Sequence, residues 1–120
     1  MTSLFTPQKG EVWLVNFDPT LGTEIQKIRP AVVISSNDVG ALPIKLVAPI
    51  TDWKDRYFRN LWHVRLDPTA DNGLSKSSSV DTLQLRGIDT QRFIKKLGIL
   101  SSDEITSITI AIVTVIEAEI

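Results

Sequence analysis

Cysteine is absent and histidine occurs once, at His63. No disulfide and no thiol chemistry are available, and a zinc site of the ordinary His/Cys type cannot be assembled. A two-histidine acid–base site is excluded within one chain. The chain has no G-x-x-x-x-G-K-S/T or G-x-G-x-x-G loop to cradle a nucleotide, and no G-x-S-x-G nucleophile elbow. Strong charge of either sign is missing too: 13 Lys and Arg face 14 Asp and Glu, for a net charge of −1 and a pI near 5.7. Bulk charge therefore cannot draw this protein to nucleic acid, and any such contact must come from a local basic patch. Long hydrophobic runs are lacking as well. The most apolar late stretch, 105–116, is too short to span a bilayer and carries Thr and Ser. The first ten residues lack the charged and apolar regions of a secretory signal. These features predict a cytoplasmic protein with no membrane association.

What remains is ordinary for a globular chain. Of the 120 residues, 42% are apolar and 22% charged. The length predicts one domain, 1–120, with a core modest enough that oligomerisation would help it. Residues 9–17 alternate as a strand between Gly10 and the Asp18-Pro19 turn, followed by a polar loop over 20–28. Pro30 favours an extended Arg29, and 31–35 is a continuous apolar run, the mark of a buried strand. A connection over 36–43 leads to a third strand, 44–51. Residues 52–60 read as a long hairpin loop, 61–66 as a fourth strand and 67–76 as a turn cluster. One or two short strands are expected in 77–88, a short helix over 90–96 and an extended segment over 97–100.

The C-terminal stretch pits two signals against each other. Ser101 and Glu104 have the spacing of a capping box, and Ile105, Ile108, Ile112, Val115 and Ile116 fall on one helical face. The β-branched residues favour a strand instead. Cap, acidic first turn and length together predict a helix. Five or so short strands with one terminal helix predict a mainly β, α+β fold: a small, partly open β-barrel.

Chemistry-bearing residues concentrate in four places. Arg29 ends the polar loop and Thr51 ends the third strand, so the two can meet at one end of the barrel and hold a phosphate between a guanidinium fork and a hydroxyl. Arg29 could equally be a surface arginine paired with Asp18, and Thr51 could cap the turn at Asp52. Glu24 and Lys27 occupy the loop. Lys27 reads as a phosphate contact or a plain surface lysine. Residues 52–59 interleave Trp53, Tyr57 and Phe58 with Lys54, Arg56 and Arg59, a composition that lets aromatics stack on unpaired bases while cations follow the phosphates. The aromatics serve as well as core or dimer anchors. Asp81, Gln84 and Arg86 follow one another closely enough that strand spacing would put Asp81 on the face of Leu83, and Gln84 with Arg86 could read bases or build a dimer. His63 reads as a half-buried sheet histidine.

Gly10-Glu11-Val12-Trp13, the Asp18-Pro19-Thr20 turn, Gly22, Glu24, the Arg29-Pro30-Ala31-Val32-Val33 block and Pro49-Ile50-Thr51 together resemble the MazF/PemK family of toxin endoribonucleases, over about residues 8–117. The resemblance implies an SH3-like barrel and a toxin of a type II toxin–antitoxin system. It implies cleavage of single-stranded mRNA at specific sequences without a cofactor or metal, by attack of the RNA's own 2′-hydroxyl, giving 2′,3′-cyclic phosphate and 5′-hydroxyl ends. Arg29 and Thr51 fall on the family's catalytic pair. Glu24 falls where the family often carries Glu and is a general base, a substrate gate or a solvated loop carboxylate. The 52–59 loop would border the RNA groove, with Lys27, Trp53, Arg56, Arg59, Asp81, Gln84 and Arg86 as candidate RNA contacts. One departure stands out: where many members place Asp before the Gln of a D-Q-x-R strand, this chain has Leu83, with Asp81 two residues earlier. Implied partners are a second copy of the chain and a cognate antitoxin whose tail fills the RNA groove, with DNA touched only through the antitoxin. A non-catalytic gyrase poison of the same barrel and an inactive SH3-like adaptor are the alternatives.

Overall fold

The computed structural model describes residues 6–39 and 42–119. The start of the stretch lacking a secretory signal (1–5), two residues of the 36–43 connection and residue 120 of the single domain lie outside the described residues.

Seven antiparallel strands form one strongly bent sheet: β1 (Glu11–Asn16), β2 (Ile28–Val33), β3 (Ile44–Asp52), β4 (His63–Leu66), β5 (Ser78–Asp81), β6 (Arg86–Asp89) and β7 (Phe93–Ile99). Their order is β4-β5-β3-β2-β1-β7, with β6 also on β3. The sheet does not close, as expected for a partly open barrel. Helix α1 (Ser102–Val115) follows.

Alternation along β1–β3 explains the core. Val12, Val32, Ala48 and Ile50 point to one side, where Leu66, Val80, Leu100 and Ile108 of α1 cover them. Trp13, Val15, Phe17, Ala31, Val33 and Val47 point to the other, over Ile88. The second half of β2, Ala31–Val33, is buried on both faces, which is why the sequence reads there as an unbroken apolar run. Glu11 stays ionised inside this frame. Burial raises its pKa, but hydrogen bonds from Lys96 Nζ (2.8 Å), the Gln8 N–H (2.8 Å) and the Trp13 indole (3.0 Å) outweigh that and leave it below the usual value.

The capping box is present: Ser101 Oγ accepts from the Glu104 N–H at 3.1 Å and Glu104 Oε1 from the Ser101 N–H at 2.8 Å. Ile105, Ile108 and Ile112 face the core as expected, whereas Ile116 caps the helix C-terminus and is exposed.

Three expectations need correction. Residues 90–96 are not a helix: only Thr90–Arg92 make a 3-10 turn, and Phe93 onward is β7, paired with β1. An open edge of β1 offers more pairing than seven residues of helix could recover alone. The 52–60 segment is not a plain loop but contains a 3-10 helix, Asp55–Arg59. Asp81 and Leu83 do not share a face, because the chain leaves β5 for a 3-10 turn at Thr82–Gln84. Asp81 is buried at 7% exposure and Leu83 is open at 59%.

Candidate active site

β3 changes partners halfway along. On one edge it pairs with β6 over Ile44–Val47 and then with β5 through Ile50↔Val80, Thr51↔Ser79 and Asp52↔Ser78, while on the other it pairs with β2 only over Val47–Pro49, as far as Ala31↔Pro49. Extending the β2–β3 register two residues would put Arg29 opposite Thr51, but there the strands have parted. Pro49 sits in the last shared rung and Pro30 one residue beyond it, and neither has an N–H to donate. The parting opens a cleft of about 300 Å³ lined by Arg29, Thr51 and Asp52 on the strands and by Gly73, Leu74 and Lys76 on the 67–77 loop. The structure thus brings together the arginine and threonine singled out in the sequence.

Neither is committed elsewhere. Arg29 Nε donates to the Gln26 carbonyl at 3.2 Å, and among the described residues its other guanidinium N–H groups carry no protein partner. Asp18, the alternative partner, accepts instead from the Lys27 N–H at 2.9 Å. The Thr51 hydroxyl makes no hydrogen bond among the described residues, so it does not cap the turn at Asp52. Lys76 Nζ pairs with Asp52 Oδ1 at 2.9 Å. That hydrogen bond is the main cause that holds the Asp52 carboxyl below its ordinary value; burial opposes it, and the charges of Lys76, Lys54 and Arg29 add to the lowering.

Glu24 is not brought to this pair. It lines a second concavity of about 380 Å³ with Phe17, Pro49, Leu83, Gln84 and Arg86, and its Oε1 accepts from the Leu21 N–H at 2.5 Å. The 20–28 loop is held there by side chains. Gln84 Oε1 accepts from the Ile25 N–H at 2.6 Å, Gln84 Nε2 donates to Asp81 Oδ2 at 3.2 Å, and Arg86 Nη1 donates to the Phe17 carbonyl at 2.9 Å. Asp81 also accepts from the Leu83 N–H at 3.1 Å. Gln84 therefore anchors the loop, Asp81 braces Gln84 and is enclosed rather than displayed, and Arg86 holds the end of the preceding strand at Phe17. Lys27, at φ 68°, is exposed.

Past Asp52 the chain enters the aromatic segment. Trp53 meets Tyr57 and Phe58 edge-on, at centroid distances of 5.7 and 4.9 Å. The Arg65 guanidinium sits 5.3 Å from the Trp53 centroid, and Arg56 5.4 Å from that of Tyr57. Such pairings hold flat cations and rings in a fixed array. Phe58 is 69% exposed and Arg59 is exposed, while Trp53 and Tyr57 are half-buried, so the outer part of this array faces solvent.

His63 is half-buried, as expected. Its ring stacks on Tyr57 (centroids 3.7 Å, planes 6° apart), and Nδ1 lies 2.7 Å from Ser79 Oγ. Burial lowers its pKa, the Asp81 carboxylate raises it and Arg56 lowers it, for a net value below the ordinary 6.5. The unfolded chain then binds more protons between the folded value and 6.5, so this contribution to stability is complete above that window and lost as pH falls through it. The melting temperature is expected to drop on acidification below 6.5, and His63→Gln to remove part of that slope. Equal slopes in thermal melts of the two proteins would refute the assignment.

Sequence reasoning missed Lys76 and Asp52 as cleft residues, and Asn72 behind them. Asn72 is completely buried. Its Oδ1 accepts the N–H groups of Thr69 and Leu74 (both 3.1 Å), and its Nδ2 donates to the Asp67 carbonyl (2.9 Å) and to Glu104 Oε2 (3.3 Å). A turn-rich stretch gives no hint which of its polar residues turns inward.

The structure is thus a small open barrel with a cleft at a strand parting where two cations, Arg29 and Lys76, stand, followed in the chain by an aromatic segment. The comparisons specify its family. Residues 8–116 match the family model described as PemK-like, MazF-like toxin of type II toxin-antitoxin system, and the chain belongs to that family. It is 30% identical over 107 residues to endoribonuclease MazF9 of Mycobacterium tuberculosis, covering 84% of this chain and 88% of that one. It is 31% identical over 103 residues to endoribonuclease MazF of Staphylococcus epidermidis, covering 84% and 83%. The crystal structure of MazF from Deinococcus radiodurans superposes with a TM-score of 0.76 at 24% identity, over 93% of this chain and 97% of that one. A MazE–MazF structure from the same organism gives 0.72 at 22% identity, over 94% and 97%.

Proposed function

We propose that this chain is a sequence-specific endoribonuclease toxin that cuts single-stranded mRNA in the cytoplasm without a metal ion and so stops translation. The observation that carries the reading is the pairing of Arg29 and Thr51, with uncommitted donors, in one cleft at the parting of β2 and β3. Transesterification needs no outside nucleophile. The RNA 2′-oxygen attacks the adjacent phosphorus, its proton leaves, the P–O5′ bond breaks and the 5′-oxygen takes up a proton. The products are a 2′,3′-cyclic phosphate and a 5′-hydroxyl. Arg29 offers planar, charged N–H donors to the non-bridging oxygens as negative charge builds on the phosphorane, and Thr51 adds a neutral one. Arginine holds its proton too tightly to be the natural acid, so charge stabilisation is its role. Glu24, outside this cleft, acts at the loop, where it touches substrate or partner. Lys27, Arg56 and Arg59 follow the RNA backbone, while Trp53 and the neighbouring rings meet unpaired bases.

The same reading gives the partners: a second copy of the chain, forming a homodimer, and a cognate antitoxin. An acidic and hydrophobic antitoxin tail competes with RNA phosphate for Arg29. Among the described residues no helix is long and apolar enough to cross a membrane.

The test is cleavage of a defined single-stranded RNA in EDTA with the ends mapped. Discrete cuts with 5′-hydroxyl ends are expected, and a 2′-deoxy nucleotide at a mapped site should abolish cutting there. Cutting at the deoxy site, or none at all from folded protein free of antitoxin, would overturn the proposal.

A further inference from the structure

Lys76 is a second cation in the Arg29–Thr51 cleft. The backbone on both sides of it is fixed. Upstream, Asn72 anchors the loop from inside, and Gly73 lies so close to β7 that a Cβ there would come within 2.1 Å of the Leu97 carbonyl oxygen. Downstream, the Trp53 N–H donates to the Ser77 carbonyl at 3.1 Å and Ser78 pairs with Asp52. The side chain itself is 64% exposed and meets only the Asp52 carboxylate, itself 54% exposed. A rigid mount thus carries an exposed ammonium at the rim of the cleft.

We propose that Lys76 is the second phosphate-binding residue of this cleft, held by Asp52 in the free protein and passed to a backbone phosphate of bound single-stranded RNA. The inference rests on the ribonuclease reading above and adds a residue to it. A phosphorane carries two negative charges and Arg29 supplies one positive charge, so a lone guanidinium leaves one charge unmatched. In the free protein Asp52 occupies Lys76. An ion pair this exposed contributes little, so exchanging the carboxylate for a phosphate oxygen costs little. The carboxylate stays ionised after the exchange because an ordinary aspartate is fully deprotonated at neutral pH. Asp52 is therefore a competitor for the lysine, and removing it should help RNA rather than harm it.

The test measures affinity for a short, fully 2′-O-methylated single strand of mixed sequence, which cannot be cut, across a salt series with the full chain. Lys76→Met is expected to weaken binding several-fold and to reduce the slope of log K against log salt by about 0.7, one phosphate's share on a single strand. Lys76→Arg should keep the slope, and Asp52→Asn should bind more tightly than wild type. An unchanged slope in Lys76→Met overturns the proposal. So does an Asp52→Asn protein as weak as Lys76→Met, which would make the intact ion pair the feature that matters. Cleavage of unmodified RNA judges the ribonuclease reading separately. A wild type that fails to cut while Lys76→Met still loses slope would remove that reading and leave the lysine–phosphate contact standing.

Discussion

Arg29→Ala is expected to lower the single-turnover rate of RNA cleavage by roughly 10²–10³-fold or more, the scale on which a single preorganised donor to a developing oxyanion acts. The fold should survive. Arg29 is only half-buried, and among the described residues its one side-chain hydrogen bond goes to the Gln26 carbonyl of the adjoining loop and no ion pair depends on it. Unfolding free energy should therefore change by less than about 1 kcal/mol, as for other partly exposed side chains without a buried partner. Arg29→Lys keeps the charge but loses the planar fork, so it should recover only part of the rate. Cutting by Arg29→Ala at the wild-type sites and at a comparable rate would remove Arg29 from the mechanism.

The second large effect is on stability, at a place far less conspicuous in sequence. Gly73 and Gly98 pack the 67–77 loop against β7 backbone to backbone. A Cβ on Gly98 would lie 2.3 Å from the Asp71 carbonyl oxygen and 2.5 Å from the Asn72 carbonyl carbon. These obstacles are backbone atoms and cannot swing aside. At Gly73 the clash with Leu97 adds to a φ of +71°, which L side chains resist. Gly98→Ala must lift the loop, break the hydrogen bond from the Ile99 N–H to the Asp71 carbonyl (2.8 Å) and unseat Asn72. The expected cost is on the order of 3–5 kcal/mol, a large share of the 5–15 kcal/mol that stabilises a typical domain. Urea unfolding measures it, and a change below about 1 kcal/mol would show that the loop yields freely. Leu74 and Lys76 would move with the loop, so cleavage should fall too, even where the protein remains folded.

Much of this was legible from residue order. β1 announced itself by alternation, β2 by an unbroken apolar run buried on both faces, and α1 by the Ser101–Glu104 box despite its β-branched content. Arg29 and Thr51 could be paired on paper because each stands at the end of a recognisable element. Residues 90–96 misled because Gln91, Lys95 and Lys96 tolerate a helix, and only the free edge of β1 decides for a strand. Asp81 misled because the two-residue period holds only while a strand continues, and the chain turns at Thr82. Glu24 lies in the loop just before Arg29, yet the loop's fastening to Gln84 carries it to a different hollow. Lys76 and Asn72 were illegible for a common reason. Their roles depend on how a turn-rich segment lies against β7, and turn composition records that a chain bends without recording what it bends towards.

The parting of β2 from β3 has a cost of another kind. Where β2 and β3 separate, each leaves backbone that a neighbouring strand would normally cover, and such uncovered edges recruit stray strands from other molecules. Proline and lysine are the usual guards of an edge. Here Pro30 and Pro49 flank the gap and Arg29 and Lys76 stand over it. The residues that make the opening attractive to a polyanion thus also make it a poor template for another copy's strand, so solubility and activity draw on the same few side chains.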